Sequence, residues 1–148
     1  MASKQSQKGA RFEYLVRDKL KERTGVDWAR APMSGSGAIK GDLFAPKNQY
    51  HYCFECKSYK ESVVKENILT AKSNNFYSWW EQAVQQADHM GKKPALIFKR
   101  DRGKAMIAVQ EEIDSLPGFH LKTEWADCFV YVFDTWLDHI DLEELVVV

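Results

Sequence analysis

Two acidic residues and one lysine have the types and the spacing to act together. Glu55 and Lys57 lie two residues apart in an aromatic-rich segment, and Asp42 stands immediately before the preceding apolar segment, Leu43-Phe44-Ala45. Side chains two apart on a β-strand share a face, so Glu55 and Lys57 should point the same way. If Asp42 lies alongside, two carboxylates and an ammonium group meet. Carboxylate oxygens are ligands that Mg²⁺ prefers, so the pattern predicts a magnesium site.

Such a cluster is suited to the hydrolysis of a phosphodiester bond. A metal ion held by carboxylates activates water and neutralises charge in the transition state, and a lysine can position that water or stabilise the phosphorane. Taken alone, however, Glu55-Cys56-Lys57 is a common tripeptide that more often forms a solvated ion pair on a strand. The residues around the tripeptide must therefore decide between the two interpretations.

The elements that would position these residues predict a mixed α/β order. The pattern indicates a helix over 9–23, a short strand over 26–30, a loop over 32–37, and two strands over 43–45 and 50–57. A helix over about 79–90 follows, with Ser78 and Glu81 at capping-box spacing and Gly91 beyond its last turn. Strands are then expected over 95–98, 105–109 and 128–133, and a last helix from Asp134 to Ile140.

Length and composition favour one compact domain. The 148 residues are 45% apolar, which is enough for one core and too little for two ordinary domains. No run approaches the ~20 apolar residues of a membrane span, and the N-terminus lacks a signal-peptide core, so we expect a cytoplasmic protein with no membrane partner. The three cysteines fit a reducing compartment. Cys53 and Cys56, three apart on a strand, should face opposite sides and not share zinc.

Several motifs, taken in order, resemble the PD-(D/E)XK nuclease superfamily, and within it the archaeal-type Holliday-junction resolvases that also occur in phages. The motifs are Lys8-Gly9-Ala10-Arg11-Phe12-Glu13, the loop Arg30-Ala31-Pro32-Met33-Ser34-Gly35-Ser36-Gly37, the pair Gly41-Asp42, and Phe54-Glu55-Cys56-Lys57-Ser58. The likeness ends near Val109. The long loop before Asp42, and Tyr14 where a second basic residue often stands, depart from the resolvase pattern.

The resemblance implies a fold, a cofactor and a set of roles. The fold would be α/β with a restriction-endonuclease-like core, that is, a central mixed β-sheet flanked by helices. Asp42 and Glu55 would bind Mg²⁺ directly, with Mn²⁺ as a substitute, and Glu13 would join the metal site through water. Lys57 would be the catalytic lysine, and Arg30 would bind phosphate. One of two serines, Ser34 or Ser36, and one of three glutamines, Gln82, Gln85 or Gln86, would lie at the site.

Charge is divided along the chain. Residues 1–110 carry 20 Lys and Arg against 11 Asp and Glu, while residues 111–148 carry 1 against 10. This predicts a basic interaction surface, although solvated faces would give the same count. We expect one domain over 1–148, with 1–8 flexible, a catalytic core over 9–110 and an acidic C-terminal extension over 111–148. The extension would limit non-specific DNA binding or, because 129–133 has a strand pattern, belong to the fold.

These observations together predict a homodimeric, Mg²⁺-dependent, structure-selective endonuclease for branched DNA. Two alternatives stay open: a restriction-like or nicking enzyme on duplex DNA, and a non-catalytic DNA-binding module. The aromatic run Phe76–Trp80 could stack on bases, form a dimer contact or fill the core. His51 shares a strand face with Glu55 and could approach the substrate or be structural. The expected phosphate-binding residues are Lys8, Arg11, Arg30, Lys40, Lys60, Lys99, Arg100, Arg102 and Lys104.

Overall fold

The computed structural model describes residues 4–32 and 39–148. The helices are α1 (Lys4–Thr24), α2 (Asn75–Met90), α3 (Phe133–His139) and α4 (Leu142–Leu145). The strands are β1 (Ala29–Arg30), β2 (Leu43–Phe44), β3 (Tyr52–Tyr59), β4 (Lys93–Arg100), β5 (Met106–Val109), β6 (Phe119–Lys122) and β7 (Asp127–Val132), and short 3₁₀ helices cover Pro46–Asn48 and Glu66–Leu69.

The strands form one mixed sheet. Within the described residues its seven strands have the order β1-β2-β3-β4-β5-β7-β6. β3 and β4 are parallel, with Tyr52 opposite Lys93 and Tyr59 opposite Arg100, and the other neighbouring strands are antiparallel. A parallel pair needs a long crossover, and α2 supplies it. The prediction of an α/β fold with a central mixed sheet flanked by helices is confirmed.

The two faces of the sheet carry separate cores. Phe12, Val16 and Leu20 recur every four residues along α1 and pack with Tyr52 and Phe54 of β3 in one buried cluster, to which α3 also contributes. On the opposite face, the aromatic side chains at the start of α2 pack on β4 in a second cluster. Successive residues of β4 alternate between the two clusters, with Ala95 and Ile97 in the first and Leu96 and Phe98 in the second, as the two-residue period of a strand requires.

The start of α2 differs from the sequence prediction. The N-cap is Asn74, whose side chain accepts a hydrogen bond of 2.8 Å from the backbone N–H of Phe76. Ser78, predicted to be near the cap, lies inside the helix, and its hydroxyl donates to the carbonyl of Asn75. The helix ends as predicted at Gly91, which has a φ of 65° and closes the last turn. The earlier start occurs because Asn is as good an N-cap as Ser.

The acidic C-terminal segment contributes to the same sheet. β7 pairs with β5 along four residues and carries β6 on its outer side. Tyr131, Phe133 and Trp136 are buried in the α1-side core. The sequence analysis missed β6, because only Leu121 of its four residues is buried and the alternation is too short to read. α4 was missed as well. The helix expected from Asp134 begins at Phe133, with Val132 as its N-cap.

The N-terminal segment expected to be flexible is described only in part. Residues 1–3 lie outside the described residues, and residues 4–8 belong to α1, which therefore begins five residues before the predicted start at Gly9. Within the described ranges, no helix combines the length and the apolar character needed to span a bilayer.

Candidate active site

Asp42 is fixed against the exposed edge of β3. β2 pairs with β3 only at Leu43, opposite Phe54, so the edge beyond that point has no strand partner within the described residues. The backbone N–H of Asp42 donates to the carbonyl of Phe54 at 2.8 Å, and its Oδ2 accepts from the backbone N–H of Cys56 at 2.7 Å. The carboxylate thus replaces a strand partner and is held beside Glu55.

The glycine before Asp42 allows this close approach. Gly41 has a φ of 86°, a region that only glycine adopts without cost. A Cβ at this position would lie 2.8 Å from Sγ of Cys53 and 3.0 Å from the carbonyl oxygen of Phe54. Any larger residue would push the loop away from β3. The Gly41-Asp42 pair therefore belongs to the geometry that places the carboxylate.

Glu55 and Lys57 share the face of β3 that lies toward α2, as the strand period predicted. Glu55 is 3% exposed. The Nζ atom of Lys57 lies 3.9 Å from Oε2 of Glu55, and 29% of the lysine side chain is exposed. Phe54 and Cys56 face the α1-side core instead. The ammonium group therefore reaches open space directly beside a buried carboxylate.

Glu13 joins the cluster from α1. Its Oε2 accepts a hydrogen bond from Nε of Arg30 at 2.9 Å, and Nη2 of the same guanidinium lies 2.8 Å away in an ion pair. The Arg30 guanidinium also lies 5.0 Å from the centre of the Tyr14 ring. The negative charge of Glu13 helps to raise the pKa of Asp42, so the two carboxyl groups lie close enough to repel each other. Arg30 therefore orients Glu13 and offsets part of its charge.

One cavity brings these groups together. It has a volume of about 440 Å³ and is lined by Glu13, Ala31, Pro32, Ile39, Lys40, Gly41, Asp42, Glu55, Lys57, Gln82, Gln85, Gln86 and His89. The Oε1 atom of Gln86 is buried and has no hydrogen-bond partner in the part of the chain that the structure describes. A buried, unsatisfied acceptor beside a cavity is costly unless a ligand or water donates to it.

The environment of this cavity raises the pKa of both Asp42 and Glu55. Burial raises the pKa of Glu55 to about 8, and repulsion from Asp42 adds to the effect, which Lys57 partly offsets. Burial likewise raises the pKa of Asp42 to about 6, against the lowering effect of the Cys56 N–H. Perturbed carboxylates in a cleft are typical of functional sites. A cation would remove the repulsion.

The donor set fits a hard cation such as Mg²⁺. Asp42 and Glu55 offer carboxylate oxygens, and the open cavity leaves room for the waters that Mg²⁺ usually retains. Among the described residues, no three His, Cys, Asp or Glu side chains form a complete metal-ligand cluster. The carboxylates of Asp42 and Glu55 are the groups that would hold such an ion.

This chain is similar in sequence to known proteins along nearly its whole length. Residues 4–146 match the family described as "Phage putative PDDEXK endonuclease". The chain belongs to this family of PD-(D/E)XK nucleases. It is 38% identical to Protein D14 of Escherichia phage T5, with 99% of each protein covered. Among solved structures, Hjc, a Holliday junction resolvase from Archaeoglobus fulgidus, is 18% identical, with 93% of each chain covered and a TM-score of 0.44. The superfamily predicted from the motifs is confirmed.

Eight of the nine basic residues predicted to bind phosphate in this PD-(D/E)XK nuclease lie in three places. Lys40 lines the active-site cavity, and Lys60 lines a neighbouring one. A cavity of about 510 Å³ between α1 and the turn after β4 is lined by Lys8, Arg11, Lys99 and Arg102, and Lys8 pairs there with Asp101. Arg100 and Lys104 are exposed on or beside the same turn. Ser34 and Ser36, the two candidate serines, lie outside the described residues.

The histidine that lines the active-site cavity is His89 and not His51, the histidine that the sequence pattern favoured. His51 lines a different cavity, near α4, and its backbone N–H donates to the carbonyl of Leu145. His89, which shows no ligand spacing, lines the active-site cavity. A signal for His89 was present: Gln82, Gln86 and His89 are four and three residues apart, so they share one face of α2.

Proposed function

We propose that this nuclease is a Mg²⁺-dependent endonuclease that hydrolyses phosphodiester bonds in branched DNA, with Mn²⁺ able to replace Mg²⁺. The observation that carries the proposal is the meeting of Asp42, Glu55 and Lys57 in one cavity, with Glu13 beside them. A buried and a partly buried carboxylate with raised pKa values, next to a lysine whose side chain is 29% exposed, suit metal-assisted phosphoryl chemistry better than a structural ion pair.

Asp42 and Glu55 would hold the ion directly, and Glu13 would hold it through a water molecule. When bound, Mg²⁺ lowers the pKa of a coordinated water and offsets the negative charge of the phosphate in the transition state. Asp42 is well placed for this role, since the Cys56 N–H fixes one oxygen at 2.7 Å and leaves the other available. Arg30 fixes the orientation of Glu13 in the same way.

The remaining polar groups would handle water and phosphate. Lys57 carries an ammonium group 3.9 Å from Glu55, and this donor can position the attacking water or bind a non-bridging phosphate oxygen. Gln86 supplies a buried acceptor, Oε1, which can take a hydrogen bond from water in the cavity. Each of these side chains comes from β3 or α2, which are rigid elements with buried apolar faces.

The preference for branched DNA rests on the resemblance of the sequence motifs to junction resolvases and on the distribution of basic residues. The cavity formed by Lys8, Arg11, Lys99 and Arg102 offers phosphate contacts away from the carboxylates. Such contacts fix position and shape without reading sequence. A homodimer would supply two active sites related by two-fold symmetry, which suits paired incisions across a four-way junction.

The test compares a synthetic four-way junction with a linear duplex of the same sequence, each with Mg²⁺ and with EDTA. We expect Mg²⁺-dependent incision that is faster on the junction. Equal rates on both DNAs would favour the restriction-like or nicking alternative. Junction binding with no cleavage under any metal condition would leave the non-catalytic DNA-binding module.

Sedimentation velocity tests the oligomeric state separately. One chain has a mass of 17.1 kDa, and we expect a species of twice that mass at concentrations that support junction cleavage. A monomer that makes paired incisions at full rate would contradict the dimer.

A further inference from the structure

Two rows of side chains border the active-site cavity and continue past it. On β3, Glu55, Lys57 and Tyr59 share one face because they are two residues apart. On α2, Trp79 precedes Gln82 by three residues and therefore continues the stripe of Gln82, Gln86 and His89 toward the start of the helix. The carboxylates and glutamines line one cavity, and Tyr59 and Trp79 line the next one.

Tyr59 and Trp79 form an aromatic pair whose position is fixed. Their ring centres are 5.2 Å apart, with the planes inclined by 43°. The Tyr59 ring is also stacked on Phe98, at 6.5 Å and 23°. Both rings are only partly buried against the α2-side core, and both border a cavity of about 380 Å³. The α2-side core therefore fixes the position of this pair, and the cavity leaves part of both rings accessible.

The other lining residues of this second cavity are mostly polar and include two lysines and one glutamate, Glu61. Lys60 and Lys65 border it, and the amide side chains of Asn67 and Asn75 lie on the same lining. Lys65 also pairs with Glu61 at 3.5 Å, and both of these side chains are more than half exposed. Aromatic faces accept flat bases of any sequence, and lysines near them bind the attached phosphates. The combination fits one nucleotide of a DNA strand.

We propose that Tyr59 and Trp79 form a subsite that stacks an unpaired nucleobase one or two nucleotides from the scissile phosphate. The inference rests on the proposed nuclease function and names the feature of the substrate that the enzyme selects. Along β3, Tyr59 lies about 7 Å beyond Lys57, and successive bases of a stacked strand are about 3.4 Å apart. A strand whose phosphate lies at Lys57 therefore brings its next bases to the aromatic pair.

This subsite favours DNA with an unpaired base over a continuous duplex. A base within a duplex is stacked on both sides and paired, and it must be extruded before it can stack on protein. The cost of extrusion is smallest for a mismatched or already unpaired base. Branch points, gaps and mismatches supply such bases. The aromatic pair would thus contribute to substrate selection without reading base identity.

Photo-crosslinking tests the position of the base without requiring cleavage. 5-Iododeoxyuridine is placed at successive positions near the branch of a four-way junction, and in the matched duplex, and each DNA is irradiated with the full-length Glu55→Gln protein. We expect crosslinks to the peptide that contains Tyr59 or Trp79, from one or two junction positions and not from the duplex. Crosslinks confined to other peptides, or equal yields from paired bases, would overturn the proposal.

Variants test the same subsite in the active enzyme. Trp79→Ala should raise KM for the junction by about tenfold to a hundredfold, because one base loses its stacking partner, and kcat should change little. Trp79→Phe should retain most of the affinity. Phe119→Ala, which removes an aromatic ring that is 43% exposed on β6, is the matched control and should leave KM unchanged. Thermal melting of each variant confirms that it is folded.

The two proposals can fail separately. Mg²⁺-dependent junction cleavage that Trp79→Ala leaves unaltered, in a folded protein, would overturn the stacking subsite and leave the nuclease function standing. Crosslinking to Tyr59 or Trp79 in a wild-type protein that cleaves no DNA would support the subsite and remove the proposed catalysis.

Discussion

The two faces of β3 contribute differently to the protein: one packs in the apolar core, and the other borders the candidate active site. Toward α1, Tyr52 and Phe54 are 1% and 0% exposed and lie in the largest apolar cluster of the described residues. Toward α2, Glu55 and Lys57 border a polar cavity. A strand with a period of two can therefore hold the fold with one set of side chains and present chemistry with the other.

The two faces also differ in what they contribute to stability. Phe54 packs edge-on against Trp28, with ring centres 5.6 Å apart, and this burial favours folding. On the other face, burial raises the pKa of Glu55 to about 8, so ionising this carboxylate opposes folding. Active sites commonly lower stability in this way. Substitutions on the two faces should consequently have opposite effects on activity and stability.

The largest expected effect is on catalysis. Glu55→Gln and Asp42→Asn each remove a carboxylate that would hold the metal, and each should lower the cleavage rate by about a thousandfold or more, since a metal supplies several kcal/mol of transition-state stabilisation. Single-turnover cleavage of a four-way junction measures the loss. Both proteins should still bind the junction in a gel-shift assay. Unaltered cleavage by either variant would mean that the acidic cluster is structural.

Substitutions on the α1 face of β3 should mainly lower the free energy of unfolding. Phe54→Ala should lower the free energy of unfolding by about 3–5 kcal/mol, because it leaves a cavity beside Trp28. Lys57→Met is the matched variant on the α2 face and should change it by less than about 1 kcal/mol while abolishing cleavage. Urea denaturation measures both. Equal losses of stability would remove the distinction between the two faces.

The pH dependence of stability also distinguishes the two faces of β3. The pKa of Glu55 rises from 4.5 to about 8 on folding, so the folded state retains a proton that the unfolded state has released between these values. The contribution of the Glu55 proton to the free energy of unfolding is therefore fully present below pH 4.5 and is lost as the pH rises to about 8.

Glu55→Gln removes this titration in the metal-free protein. At pH 9 the variant should be more stable than wild type by on the order of 3 kcal/mol, and at pH 4 the two should be alike. Thermal melting in EDTA measures the difference, and Mg²⁺ should reduce it at pH 9. A wild-type protein that is the more stable of the two at pH 9 in EDTA would contradict the raised pKa.

The smallest expected effect concerns the residue that orients Glu13. Arg30→Gln removes the hydrogen bond of 2.9 Å and the ion pair of 2.8 Å to Glu13 and should lower the cleavage rate about tenfold, as is typical for groups that position metal ligands. Arg17→Gln is the control, because Arg17 pairs with Asp18 and also lies over Tyr14 but does not bind Glu13. Similar losses in both variants would argue for a general charge effect on DNA binding.

Local patterns predicted much of this arrangement. The alternation in 50–57 placed Glu55 and Lys57 on one face, and Gly91 marked the end of α2. These features depend on neighbouring residues, so they can be read from sequence. β6 could not be read, since it is an edge strand whose pairing with β7 supplies most of its order.

The parts of the site that depend on packing were not predictable. Arg30, which the resemblance assigns to phosphate binding, also forms an ion pair with Glu13, a residue on another element that only the folded chain brings near. Likewise, the roles of Gln86 and His89 depend on how α2 lies over β3. Their shared helix face was visible in the sequence, but the surface it would meet was not.

The most direct test of the metal site is anomalous scattering from a crystal soaked in Mn²⁺, compared with an Asp42→Asn crystal treated in the same way. We predict a peak in contact with the carboxylates of Asp42 and Glu55 in the wild-type crystal, and a weaker peak or none in the variant. A wild-type crystal with no peak between these two residues, at a Mn²⁺ concentration that supports cleavage in solution, would contradict the account.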